Sequence, residues 1–235
     1  MYRLVITSLF AGLLVGSVRA DEADARKIVN DAIKAVGGSG KTTAVTWNGK
    51  GKFYGMGDGI DFTGTWSIQP PDKFRMEINN FATFIVNGDK GWIVMGGETK
   101  EMTKEEVAEQ REDMHVQFVQ TLHPLKDKAY TLALVGESKV GDKTAIGVKV
   151  SRKGRRDVTL YFDKESHLVA KVEHTVKDGD KEVIQESVVT EWTKRGDVKM
   201  ASKLVIKRDG KLYVESEMSD YKILEKHPDG TFDKP

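Results

Sequence analysis

The sequence predicts a mainly β (α+β) fold: a single large, curved antiparallel sheet with an N-terminal amphipathic helix and one inserted helix. Three observations point there. Apolar residues recur with period two from Thr42 almost to the C-terminus, the spacing of strands with one buried face. Turn residues such as Asn-Gly, Asp-Gly and Gly-Asp interrupt these runs at short intervals, as antiparallel hairpins require. Only two stretches switch to a helical period.

The 235-residue chain opens on Arg3, an apolar run from Leu4 to Val15, and Val18-Arg19-Ala20, with small or modest side chains at the minus-three and minus-one positions. This is the anatomy of a cleavable secretory signal, and the apolar run is too short to span a bilayer. The expectation is a signal peptide over residues 1–20 and one domain over 21–235, exported to the periplasm or beyond. No cysteine is present, so the domain must rely on its core rather than on disulfides, and a lipobox tether is excluded. The 37 basic and 36 acidic residues are interleaved throughout, which argues against a nucleic-acid-binding surface.

Asp21 to Val36 carries Ala25, Ile28, Val29, Ala32, Ile33 and Val36 at three- and four-residue steps, one apolar helical stripe. Asp21, Glu22 and Asp24 would favour the positive end of its dipole, and Gly37-Gly38 would cap its end. Period two then takes over. Val45, Trp47, Gly49, Gly51 and Phe53 share a face, as do Ile60, Phe62, Gly64, Trp66 and Ile68, and then Phe74, Met76 and Ile78. Runs over 82–86 and 91–95 flank the hairpin signal Asn87-Gly88-Asp89. Thr103-Lys104-Glu105-Glu106 is a capping box, with Val107, Met114, Phe118 and Leu122 on roughly one helical face before Pro124. Runs near 129–135, 144–151, 157–162, 167–176, 182–192, 199–207 and 211–223 follow. About a dozen strands are implied.

"AVGGSGKTT", residues 35–43, fits a relaxed phosphate-loop pattern. A working phosphate loop leaves a strand and enters a helix whose free N–H groups hold the phosphates. Here a helix enters and a strand leaves, so no nucleotide is expected. The histidines His115, His123, His167, His174 and His227 lack helical metal-pair spacing, His167 and His174 fall on opposite faces of one predicted strand, and all are expected to be solvated or hydrogen-bonded. Asp58, Asp61, Asp178 and Asp180 sit where hairpins need turn residues. Arg155-Arg156 and Lys52 suit a solvated strand edge. No Gly-x-Ser-x-Gly elbow or cysteine nucleophile exists. Neither a cofactor nor catalysis is expected.

One sheet face concentrates bulk: Trp47, Phe53, Phe62, Trp66, Phe74 and Trp92. Two readings fit. The helices either cover an ordinary core, leaving a structural or protein-interaction domain, or cover only part of a strongly curved sheet and leave a hollow, with Met114 and Phe118 on an adaptable lid.

The order of features, with "QPPDKFRMEI", "FIVNGDKGWIVM", "LYFDKESHLVAKVE" and the closing "DGTFDKP", resembles the LolA-like superfamily of periplasmic lipoprotein and lipid carriers. Pro71, Phe74 and Arg75, then Asn87, Gly88 and Trp92, look like the family's turn-strand and hairpin positions. Asp163 looks like its turn opener, and Phe232 and Pro235 like its C-terminal Phe-x-x-Pro. Met76 departs from the pattern, where carriers often have an aromatic residue. The resemblance implies an incomplete β-barrel whose apolar hollow holds acyl chains. The expected lining is Trp47, Phe53, Phe62, Trp66, Phe74, Met76, Phe84 and Trp92 from the sheet and Val107, Met114, Phe118 and Leu122 from the helix. Expected partners are a lipid acyl chain or lipoprotein and membrane donor and acceptor proteins, with the carrier itself a monomer.

Overall fold

A computed structural model describes residues 13–37 and 44–235, with side chains from residue 21 onward. The first twelve residues and the Gly40-Lys41-Thr42 stretch lie outside the described residues. No described helix is long and apolar enough to cross a membrane.

The first helix, α1, runs Leu13–Val36. It extends N-terminal to the expected Asp21, because residues 13–20 contain no proline to stop it. Asp21, Glu22 and Asp24 therefore lie in the helix interior rather than its first turn, and they work through neighbours instead of the dipole. Glu22 pairs with Arg26 at 2.7 Å. Arg26 also donates to the carbonyls of Leu125, at 3.1 Å, and Tyr130, at 2.8 Å, tying the helix to the chain around residues 125–130. The expected stripe is the buried one: Ala25, Val29 and Ala32 are fully enclosed, with Ile28, Ile33 and Val36 packed beside them. Gly37, at φ 80°, closes the helix by donating to the carbonyls of Ile33 and Lys34.

Thirteen antiparallel strands follow in one sheet. β1 (Ala44–Phe53), β2 (Ile60–Gln69), β3 (Lys73–Ile78), β4 (Ala82–Asn87), β5 (Lys90–Met95) and β6 (Glu98–Glu101) form one meander. β7 (Tyr130–Val140), β8 (Lys143–Arg152), β9 (Val158–Asp163), β10 (Val169–Asp178), β11 (Lys181–Arg195), β12 (Val198–Arg208) and β13 (Lys211–Leu224) form the other. The meanders join only where β1 pairs with β13, and β6 and β7 are the free edges of an unclosed sheet. Strand β6 carried no sequence signal, because Glu98–Glu101 is wholly exposed and shows no apolar alternation. Hairpin chemistry matches the sequence elsewhere. Gly88, Gly141, Gly154, Gly179 and Gly196 all take positive φ, and Asp163 Oδ1 accepts from the backbone of Glu165 and Ser166.

The second helix, α2 (Lys104–Gln120), and a 3-10 turn (His123–Lys126) connect the two free edges. The capping box is present: Thr103 Oγ1 accepts from Glu106 N at 3.1 Å, and Glu106 Oε2 accepts from Thr103 N at 2.7 Å. The helix has two apolar sides rather than the single expected face. Val107 and Met114 join the core of the first meander. Val116 and Val119 join the core of the second, with α1, Leu132, Val148 and Leu160. Leu122 does not continue the Val107–Phe118 face. It lies past the helix end in a left-handed conformation at φ 64° and packs into the second core.

Candidate functional site: a half-covered aromatic row and a polar recess

Strand register decides which side chains share the inner, helix-covered face. Val45, Ile68, Phe74 and Val86 stand opposite one another in successive strands, ending at Gly91 of β5. They are sealed under α2, Phe74 at 4% exposure and Val86 at 0%. Gly91 completes the seal, because a Cβ there would lie 2.6 Å from the Met102 sulfur and 3.0 Å from Val107.

One register step further along is a second row: Trp47, Trp66, Met76, Phe84 and Ile93. Each packs on the sealed row and each is only half-buried. The Trp47 ring lies between Trp66, stacked at 6.0 Å and 8°, and Tyr221, stacked at 6.0 Å and 18°. Burial pushes the Tyr221 hydroxyl up to about 12. Trp66 rests over Gly49, where a Cβ would come within 2.5 Å of the indole. Phe62 meets Trp66 edge-on at 6.3 Å, and Phe53 meets Tyr213 edge-on at 5.1 Å.

Nine of the expected lining residues thus share the inner side: Trp47, Phe53, Phe62, Trp66, Phe74, Met76 and Phe84 on strands, Val107 and Met114 on α2. Met114 is locked in the core at 3% exposure. With Phe118 it lines a small cleft between α2, Pro70-Pro71, Arg152 and Arg155. Trp92 is misplaced by the sequence reading. It stands opposite Ile85 and packs with Phe232 on the other face, because strand alternation sends Gly91 and Ile93 inward. Arg75 lies on that outer face too, opposite Ile85; it pairs with Glu77 and donates to the Thr231 carbonyl at 3.5 Å. It helps to hold the C-terminal segment, where His227 bonds the Val45 carbonyl at 3.0 Å and meets Phe232 edge-on.

The inner face turns polar on the second meander. His174, Gln185 and Arg208 stand in register across β10, β11 and β12. Arg208 donates to Gln185 Oε1 at 3.0 Å and lies 3.7 Å over the Tyr213 ring, which links this recess to Phe53. His174 is expected to be solvated or hydrogen-bonded, yet it is 7% exposed and its Nδ1 has no hydrogen-bond partner. Burial, then the charges of Arg208 and Arg156, hold its imidazole down at about 4. His167 is not in a strand at all; it turns the chain at φ 58°. From α2, Asp113 faces the same charges. Desolvation pushes its carboxyl up to about 6, against the opposing pull of Arg208.

Arg155 and Arg156 are not a solvated edge. Arg156 donates to both carboxylate oxygens of Glu109, at 2.7 and 2.8 Å, and Arg155 donates to Glu112 at 2.9 Å. They clamp α2 onto the β8–β9 turn, a long-range pairing that no local spacing announces. No three His, Asp or Glu side chains among the described residues gather as a metal-holding group.

No protein-family model matches the chain, and no curated protein matches it in sequence. Solved structures do match in shape. A LolA superfamily protein from Nitrosomonas europaea superposes with a TM-score of 0.59 at 11% identity, over 89% of this chain and 97% of that one. A DUF1329 family protein from Desulfovibrio piger gives 0.58 at 11%, over 89% and 97%. A putative outer membrane lipoprotein-sorting protein domain from Vibrio parahaemolyticus gives 0.60 at 10%, over 91% and 97%. An unclosed antiparallel sheet with a leading helix and a helix strung between its edges is therefore the LolA-like fold.

Proposed function

We propose that this protein is an exported, non-catalytic carrier that holds the acyl chain of a lipid or lipoprotein on its inner sheet face. One observation carries the reading: the row Trp47–Trp66–Met76–Phe84–Ile93 is in register, continuous and apolar, yet half-covered. A row meant only as core would be sealed as its neighbour is. Burying a chain of a dozen methylenes offers on the order of 10 kcal/mol at about 0.8 per CH₂, before ordering costs. The fold, which it has in common with a lipoprotein-sorting domain, supports the same reading. So do the secretory anatomy of residues 1–20 and the strap-like placement of α2, which can move without breaking strand pairing. In this reading residues 21–235 work as a monomer between membrane donor and acceptor proteins, with Phe53, Phe62 and Phe118 at the ends of the hollow.

The test uses fatty acid brominated along the chain, which quenches tryptophan on contact. Emission from variants retaining only Trp47 or only Trp66 should be quenched, and emission from those retaining only Trp92 should not. Native mass spectrometry of protein purified gently from its host should show a bound lipid. Equal quenching of all four tryptophans, or none together with a lipid-free mass, would favour a filled interaction domain and end the carrier reading.

A further inference from the structure

The aromatic row explains an apolar tail but leaves the recess beside it without a task. The charged groups around that recess mostly pair among themselves. Arg156 pairs with Glu109, which also meets Lys177 at 3.4 Å; Arg155 pairs with Glu112; and Arg208 approaches Asp178 at 3.7 Å. Two groups are left over. The Asp113 carboxylate has no hydrogen-bond or ion-pair partner among the described residues, and the His174 Nδ1 is buried without one. A buried polar atom without a partner costs about 1–3 kcal/mol, so the His174 Nδ1 awaits something from outside the chain, and the half-buried Asp113 carboxylate offers it an acceptor.

Resting on the carrier reading, we infer that the recess binds the head of the amphiphile, and that this head is a hydrogen-bond donor, hydroxyl or ammonium, rather than an anion. Phe53 against Tyr213, and Tyr213 beneath Arg208, place the recess next to the aromatic surface. One molecule can therefore lay its tail on Trp47 and Trp66 and its head between α2 and β10. Asp113 accepts from a hydroxyl or ammonium and repels a carboxylate. A neutral imidazole at His174 serves a hydroxyl in either direction, as donor or acceptor. Glyceride hydroxyls and an ethanolamine-type ammonium have this chemistry in common.

Three amphiphiles of equal chain length separate the possibilities: 1-lauroylglycerol, dodecylammonium and laurate, titrated calorimetrically at pH 7.5 into the full protein after delipidation. The two donor heads should bind about tenfold more tightly than laurate, the worth of one hydrogen bond to a charged group. Asp113→Asn should abolish the advantage of dodecylammonium while retaining laurate binding, which also shows that the variant is folded. His174→Phe should weaken 1-lauroylglycerol more than the other two. Equal affinity for all three heads, or an order unchanged in both variants, would overturn the head assignment and leave the carrier standing. Failure of all three to bind would overturn both.

Discussion

Trp47 and Trp66 stand directly opposite each other in the β1–β2 register, their rings 6.0 Å apart and 8° from parallel. The stack depends on a missing side chain. Gly49 leaves the space over which the Trp66 ring lies, and its own register partner is Gly64. Gly49→Val should push the indole off the sheet. Near-ultraviolet circular dichroism should lose signal from the coupled indoles, and thermal unfolding should come several degrees lower, the shift expected of about 1–3 kcal/mol from overpacking.

The two apolar rows should respond differently to truncation. Phe74→Ala empties a sealed site and should cost about 3–5 kcal/mol by urea unfolding. Trp66→Ala removes a larger side chain from a half-covered site, and about 1–3 kcal/mol is expected because part of its surface is already in water. If the order were reversed, the outer part of the row would be the real core.

The clamp on α2 should be measurable by hydrogen exchange. Arg156→Leu breaks a two-point bridge to Glu109, and Arg155→Leu breaks the one to Glu112. Both pairs are partly exposed, so the two together should cost about 1–3 kcal/mol. Exchange should quicken across Lys104–Gln120 while the hairpins of the second meander keep their protection.

Acid should act on Asp113 and His174 in opposite directions. The folded-state carboxyl of Asp113 is raised to about 6 from 3.8, so folding is penalised above pH 6 and the penalty fades toward pH 4. The folded-state imidazole of His174 is lowered to about 4 from 6.5, so stability is lost as pH falls from about 6.5 toward 4. His115, also about 4, adds to that loss. Asp113→Asn should raise the melting temperature at pH 7.5 and have no effect near pH 4. His174→Gln should flatten the decline between pH 6.5 and 4.5. Arg208 and Arg156 face both groups, and Glu109 and Glu112 also face Asp113; together they supply the background field.

Local chemistry wrote much of this fold plainly. The stripe on α1, the capping box at Thr103 and the glycines of the hairpins are each a property of a few adjacent residues, and each stands where the sequence put it. Strand alternation also predicted the inner side of β1, β2 and β3. Alternation was harder to use on β5, where Gly91, Trp92 and Ile93 offer an aromatic and an aliphatic side chain to opposite faces. The close approach of Met102 and Val107 to Gly91 inside, and of Phe232 to Trp92 outside, goes with Trp92 facing outward. The polar recess was illegible for another reason. Its members come from α2, β10, β11, β12 and β13, and nothing in the spacing of Asp113, His174, Gln185, Arg208 and Tyr213 brings them together. Four of them meet through the register of three successive hairpins, and Asp113 joins them only through the docking of α2.

The pairing of β1 with β13 has a consequence for how the chain reaches this state. The first strand synthesised finds one of its two neighbours only in the last. Each meander can zip up from its own hairpins within microseconds to milliseconds, but closing them onto each other fixes a loop of nearly the whole chain, and such distant pairings are slow. Until Lys211–Leu224 arrives, the edge of β1 and the oily rings along it stand bare. A nascent or newly translocated molecule is therefore at its most vulnerable to clumping just before the final strand docks, and a chaperone would be best placed there.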